Sequence, residues 1–177
     1  MEKLEKKPFK KILQGLRVQL VLSSPQYTQQ VFDYIQRDHQ LGGTLYSWVE
    51  SLEDVAKHIT NEPKENFSEI TYLILKDNTA IGSFHVHTIS YSDYKAEVGY
   101  GIEKAEEGKG FVSEAMQLVL SEMKRLGFNK AVISCDKENT RSAKVAERNG
   151  FKKEGLLIQD CVENGHFRDS LIFGQIL

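Results

Sequence analysis

The most constraining stretch of the chain is AEVGYGIEKAEEGKGFVSEAMQLVLSEMKRLG, residues 96–127. It begins as a β-strand. Side chains alternate across a strand, so Ala96, Val98, Tyr100 and Ile102 take one face and Glu97, Gly99 and Gly101 take the other. It ends as a helix. Val112, Ala115, Met116, Val119, Leu120, Met123 and Leu126 repeat at i, i+3, i+4, i+7, which is an unbroken core-facing stripe. Between the two lie Gly108 and Gly110. Glycine at a helix mouth costs backbone entropy, so the turn needs a bare backbone.

The first amides of a helix have no intrahelical acceptor and carry partial positive charge, which favours an anion there. The spacing therefore points to an anion site built from the amides of Gly108, Lys109, Gly110, Phe111, Val112 and Ser113, with the Lys109 ammonium and the Ser113 hydroxyl within reach. A plain strand-to-helix linker is the other reading. A Walker-type loop is excluded by Glu103 and Gly110 at its diagnostic positions, and the dinucleotide fingerprint by Ser113 at its third glycine. Gly99 and Gly101 leave one strand face bare, either for an extended ligand or for close packing of another element.

The rest of the chain supplies one core. Its 177 residues suit a single domain, and 40% hydrophobic with 27% charged residues is ordinary for a soluble fold. A net charge of -2 gives no general attraction to nucleic acid or membrane. Cys135 and Cys161 show no metal-ligand spacing, and reduced thiols in a cytoplasmic protein are expected. MEKLEKKPFKK reads as a solvated lead-in over residues 1–15, followed by one domain over 16–177. Strands are expected at 16–22, on either side of Asp77-Asn78, at 96–103, at 130–136 and on either side of Asn164-Gly165. Helices are expected after Ser24-Pro25, after Ser51, from Val112, and over TRSAKVAERNG. The order β-α-α-β-β-β-α-β-α-β-β predicts an α/β (α+β) domain with a mixed sheet covered by helices on both faces.

EVGYGIEKAEEGKGFVSEAM, followed by ISCDKENTRSAKVAERNGF, resembles the GCN5-related N-acetyltransferases. Within that family it is similar to the RimJ/RimL branch, which acetylates the N-termini of bacterial ribosomal proteins. The resemblance implies a mostly antiparallel sheet, acetyl-CoA as cosubstrate with no metal, and a primary amine as acceptor. The favoured acceptor is a protein N-terminus; a polyamine or antibiotic amine, or loss of catalysis in an acyl-CoA-binding module, are the alternatives. It implies that residues 106–113 hold the CoA diphosphate and that Val98, Gly99, Tyr100, Gly101 and Ile102 bond the pantetheine arm through their backbone. Asn139 then lies beside the arm and Ser142 near the sulfur. Many relatives carry tyrosine seven residues after that asparagine as the acid for the leaving thiolate; here it is Ala146. The first position of the family's loop pattern is likewise Ala105.

Glu97 is the first candidate base, since it shares the face of the glycine track; an ion-paired surface glutamate is the alternative. His85 and His87 share a strand face with Ser83, as structural or titrating groups, and His87 is taken with Tyr46, Trp48 and Asp160 as acceptor-binding. Ser142 is the candidate proton donor, or else a serine serving the backbone near a helix start. Homodimer formation is common in this branch.

Overall fold

The computed structural model describes residues 7–59, 69–163 and 165–177. In chain order the elements are β1 (Ile12–Gln14), β2 (Gln19–Leu22), α1 (Thr28–Gln40), α2 (Leu52–His58), β3 (Glu69–Lys76), β4 (Thr79–Ser90), β5 (Lys95–Ile102), α3 (Phe111–Arg125), β6 (Lys130–Asp136), α4 (Thr140–Arg148), β7 (Lys152–Glu163) and β8 (His166–Ile176). The expected order holds, with one strand added. Ile12–Gln14 pairs antiparallel with β2 as an edge strand, where the sequence reading has only a lead-in. A three-residue strand carries too little alternation to be seen in sequence.

The eight strands form one sheet in the order β1-β2-β3-β4-β5-β6-β8-β7. All pairs are antiparallel except β5 with β6. The β5–β6 ladder spans only Lys95↔Lys130, Ala96↔Ala131 and Glu97↔Val132, after which the strands part. From Val98 onward, β5 has no ladder on its β6 side.

Helices cover both faces, as expected. Phe111, Ala115, Met116, Val119, Leu120 and Met123 of α3 join Ala146 of α4 in a core against Tyr72, Phe84, Val98 and Ile133. On the other face Val31, Tyr34 and Ile35 of α1 and Val55 of α2 pack with Val21, Leu73 and Ala80. The predicted α3 stripe is buried except at Val112, which is half-buried; Phe111 takes its place in the core. α3 and α4 end alike, with Phe128 N–H donating to the Met123 carbonyl and Phe151 N–H to that of Ala146.

Two helix starts differ in kind. Ser51 and Asp54 make a full capping box on α2. Ser24 does not cap through its side chain: Pro25–Tyr27 forms a 3-10 turn and α1 proper begins at Thr28. Of the expected Asn164-Gly165 turn, Asn164 lies outside the described residues and Gly165 has φ +76.

The loop between α1 and α2 is pinned from beneath. Asp38, 2% exposed, accepts from Leu45 N–H at 3.0 Å and from Lys104 N–H at 2.8 Å. Gly43 passes so close that a Cβ there would sit 2.0 Å from Asp38 Oδ2. This carboxylate ties the 41–49 loop to the chain that leaves β5.

Candidate active site

Leaving β5, the chain makes a short 3-10 turn over Lys104–Glu106 and then passes through Gly108 and Gly110 at φ +73 and +85. An L side chain avoids that left-handed region, so the two glycines let the chain turn straight into α3. The first intrahelical bond is from Glu114 N–H to the Gly110 carbonyl, 3.1 Å. The amides of Gly110, Phe111, Val112 and Ser113 precede it and have no acceptor within the helix. A Cβ at Gly108 would meet nothing within 4 Å.

These residues open on a cleft of about 430 Å³ between β5 and α4. Tyr100, Gly101 and Ile102 line one side, Gly108, Gly110, Phe111, Val112 and Ser113 the end, and Asn139, Ser142 and Val145 the other side. Three cations, Arg141, Lys144 and Arg148, complete the wall. The sequence reading misses them. Their i, i+3, i+7 spacing on α4 was the available signal, since it puts them on one helix face. Arg141 is ion-paired with Glu107.

Several predicted residues lie elsewhere. Lys109 is not on the cleft wall: its ammonium binds Glu106 at 3.0 Å and its carbonyl accepts from Arg17 at 2.9 Å. Ser113 does line the cleft, with its hydroxyl accepting from the Asn149 amide at 3.1 Å. Val98 is in the core, and Gly99 and Val98 do not line the cleft. The glycine face of β5 is not an open track. A Cβ at Gly101 would lie 2.8 Å from Leu45 Cδ2, so close packing explains that glycine; at Gly99 it would lie 3.5 Å from His87 Nε2. What is open is the β6-facing edge of β5 beyond Glu97.

Where the strands part, three groups meet. The Tyr100 hydroxyl stands 3.1 Å from Ser142 Oγ and donates to the Ser142 carbonyl at 3.2 Å. The Cys135 thiol lies against the Ser142 hydroxyl. Burial pushes both the Tyr100 phenol and the Cys135 thiol up, so both stay protonated near neutral pH. Asn139 caps α4 by accepting from Ser142 N–H at 3.0 Å, which fixes Ser142 in the cleft. Ala146, where many relatives have tyrosine, is fully buried in the core. The phenol beside Ser142 comes from β5 instead.

A second cavity of about 300 Å³ lies on the α1–α2 face of the sheet. Tyr46 and Trp48 line it together with Tyr34, His58, Glu69, Thr71, Ser83 and His85. Trp48, 47% exposed, packs its ring 4.1 Å from that of His58 and edge-on to Tyr46 at 6.1 Å. The Tyr46 hydroxyl is 2.7 Å from Ser83 Oγ and 2.8 Å from His85 Nε2. Of the two histidines it is therefore His85, not His87, that enters this cavity; His87 bonds Thr88 at 3.0 Å and stands opposite Glu97 in the ladder. Glu97 is half-buried beside the fork and lines neither cavity. Asp160 is exposed on the edge strand β7 and lines neither. Thr44 and Leu45 line the first cleft while Tyr46 and Trp48 line the second, so one short loop is the wall between them. Among the described residues, no group of three or more His, Cys, Asp or Glu side chains is placed to hold a metal ion. No helix among them is long and apolar enough to cross a membrane.

The chain is similar to several known proteins. The ribosomal-protein-serine acetyltransferase of Escherichia coli (strain K12) is 28% identical over 134 residues, covering 73% of this chain and 74% of that protein. The spermidine N(1)-acetyltransferase of the same organism is 25% identical over 126 residues, 71% of this chain and 65% of that protein. The solved structure of the RimL ribosomal L7/L12 alpha-N-protein acetyltransferase in complex with coenzyme A superposes with a TM-score of 0.82 at 22% identity, covering 94% and 98% of the two chains. The family model described as an acetyltransferase (GNAT) domain matches residues 17–152, and the chain accordingly belongs to the GNAT family of acetyl-CoA-dependent N-acetyltransferases.

Proposed function

We propose that the chain acetylates the N-terminal α-amine of a protein by direct attack of the neutral amine on the thioester of acetyl-CoA. The observation that carries this reading is the pair of unlike cavities on either side of one loop. The first has a helix start at its end and three cations on its wall, against the carboxylates of Glu106, which binds Lys76 and Lys109, and Glu107, which binds Arg141; this suits an extended, multiply anionic donor. The second is walled by Trp48, Val49, Ile59 and Leu73 with Glu69 as its carboxylate. A polyamine calls for several carboxylates; among the described residues the cavity has one carboxylate and an aromatic mouth, which fit a single amine at the end of a peptide.

The α3 amides and the α4 cations hold the diphosphate end. The free edge of β5 offers backbone partners to the pantetheine arm and leads it to the fork. There Ser142, with its neighbour Tyr100, donates to the departing sulfur. The acceptor amine needs modest help: an α-amine with pKa about 8 is roughly one-tenth neutral at pH 7, whereas a lysine near 10.4 costs about 4.6 kcal/mol to deprotonate. The relationship to the Escherichia coli ribosomal-protein-serine acetyltransferase supports this acceptor class, and that to the spermidine enzyme supplies the competing one.

Thiol release from acetyl-CoA is to be compared for serine-initiated peptides, spermidine and an aminoglycoside, with mass spectrometry of the product. The expected result is a peptide acetylated at its α-amine with the highest kcat/KM. Faster turnover of spermidine overturns the proposal. Ser142→Ala is expected to lower kcat about tenfold with KM for acetyl-CoA unchanged, the loss of one hydrogen bond to a developing charge. An unchanged kcat removes Ser142 from the chemistry.

A further inference from the structure

We propose that Tyr46 and His85 form the proton relay that deprotonates the acceptor amine: the amine's proton passes to Tyr46 Oη as that hydroxyl gives its own to His85 Nε2, and Glu69 steadies the imidazole from its Nδ1 side. The inference rests on the second cavity being the acceptor site.

The hydrogen-bond directions follow from the partners. His85 Nδ1 is 3.4 Å from Glu69 Oε1 and 3.0 Å from Thr71 Oγ1. The Thr71 hydroxyl can accept or donate and the Glu69 carboxylate only accepts, so the relay takes Nδ1 as the nitrogen that carries the hydrogen. Nε2 is then the acceptor and takes the Tyr46 hydroxyl hydrogen at 2.8 Å, while the Ser83 hydroxyl, 2.7 Å from Tyr46 Oη, donates to that oxygen. With Tyr34 donating to Ser83, Ser83 to Tyr46 and Tyr46 to His85, each hydroxyl hydrogen is used once and Tyr46 Oη keeps one lone pair for a proton arriving from the cavity. The chain holds this arrangement against backbone preference. Tyr46 sits at φ +48, a left-handed conformation that bulky residues avoid. The flanking Leu45 is fixed to Asp38, so the strained residue is held in place from its own neighbour.

The groups around His85 are Glu69 and Thr71 on β3, Ser83 and His87 on β4, Tyr46 on the loop, and Tyr34 of α1, whose buried hydroxyl interacts with Ser83 and Tyr46. Burial holds His85 below the ordinary 6.5 of histidine, and His87 adds to this, while Glu69 pulls the other way. The imidazole is therefore neutral near pH 7 and free to accept.

The step balances. The ammonium loses one proton through Tyr46 to His85, leaving a neutral amine and an imidazolium. The amine nitrogen bonds to the thioester carbonyl carbon, the C–S bond breaks, and the second nitrogen proton leaves with the thiolate as thiol. His85 then returns its proton to solvent. The products are amide, CoA thiol and one proton.

The test uses the full chain and a serine-initiated peptide, with kcat measured from pH 5 to 9. If the relay operates, the protonated amine is bound productively, so wild-type kcat holds down to the His85 pKa, below 6.5. His85→Gln is expected to lower kcat about 100-fold and to raise the acid limb to the amine's own value of about 8, with CoA affinity unchanged. Glu69→Gln, at a half-exposed side chain that the fold tolerates, moves the wild-type limb to lower pH because the carboxylate that raises His85 is gone. Tyr46→Phe lowers kcat with KM for acetyl-CoA unchanged. An active wild type whose His85→Gln and Glu69→Gln variants keep its kcat and acid limb overturns the relay alone. A wild type that binds CoA but acetylates no amine overturns the acceptor reading and the relay with it.

Discussion

Gly108→Asp is expected to weaken acetyl-CoA binding on the order of 100-fold, about 2.7 kcal/mol, while leaving the fold in place. Gly108 lies at φ +73 with open space where a Cβ would stand, so a short side chain has room on the cleft wall. A carboxylate there faces the amides of the proposed diphosphate site, and adds like-charge repulsion. Gly108→Asn is the control. Asparagine tolerates the left-handed region about as well as aspartate, has nearly the same shape and carries no charge, so its loss should be several-fold only. Isothermal titration with CoA separates the two, and thermal unfolding of each variant reports the backbone cost. Equal affinities for the Asp and Asn variants would mean that the start of α3 does not hold the diphosphate.

Asp38→Ala is expected to cost about 3 kcal/mol of stability, from two hydrogen bonds to a buried carboxylate whose donors lose their acceptor. For a chain of this length that is a fall of roughly 6–12 °C in Tm. The second consequence is local. Without Asp38, Leu45 is no longer held on Gly101 and Tyr46 no longer held at Ser83 and His85. Both substrates therefore lose affinity, and Asp38→Asn, which keeps one acceptor oxygen, falls between the two. Calorimetry and steady-state kinetics on the same preparations measure both effects. A Tm within 2 °C of wild type rejects the pinning role.

Much of the frame is legible in the sequence. The α3 stripe, its glycine stop and the Ser51 cap are short-range patterns, and the chain around each obeys them. The loop 106–113 was legible because the need for bare backbone at a helix start is itself local. What could not be read depends on which residues face one another. The β5 alternation gives the face of Gly101 correctly, but not that Leu45, more than fifty positions earlier, would fill it. The same holds for His85. Both histidines have the right parity on β4, yet only the packing of the α1–α2 loop decides that Tyr46 meets His85 and leaves His87 beside Glu97. Ala146 marks an absence in sequence; that Tyr100 brings a phenol to Ser142 from another element appears only once strand and helix are side by side.

The parting of β5 from β6 has a mechanical side. Strands β1 to β5 and strands β6, β8 and β7 are two rafts, paired to each other among the described residues by the short ladder at Lys95, Ala96 and Glu97 and by the Tyr94 carbonyl just before it. On the proposed placement, a cosubstrate in the gap meets the free edge of β5 on one side and α4, which follows β6, on the other, and acts as a suture. Its binding energy adds to the cohesion of the whole fold in proportion to RT ln(1 + [L]/Kd). The empty protein should accordingly breathe along this seam first, with β5 amides past Glu97 exchanging with solvent sooner than their β4-facing neighbours, and the filled one should close it.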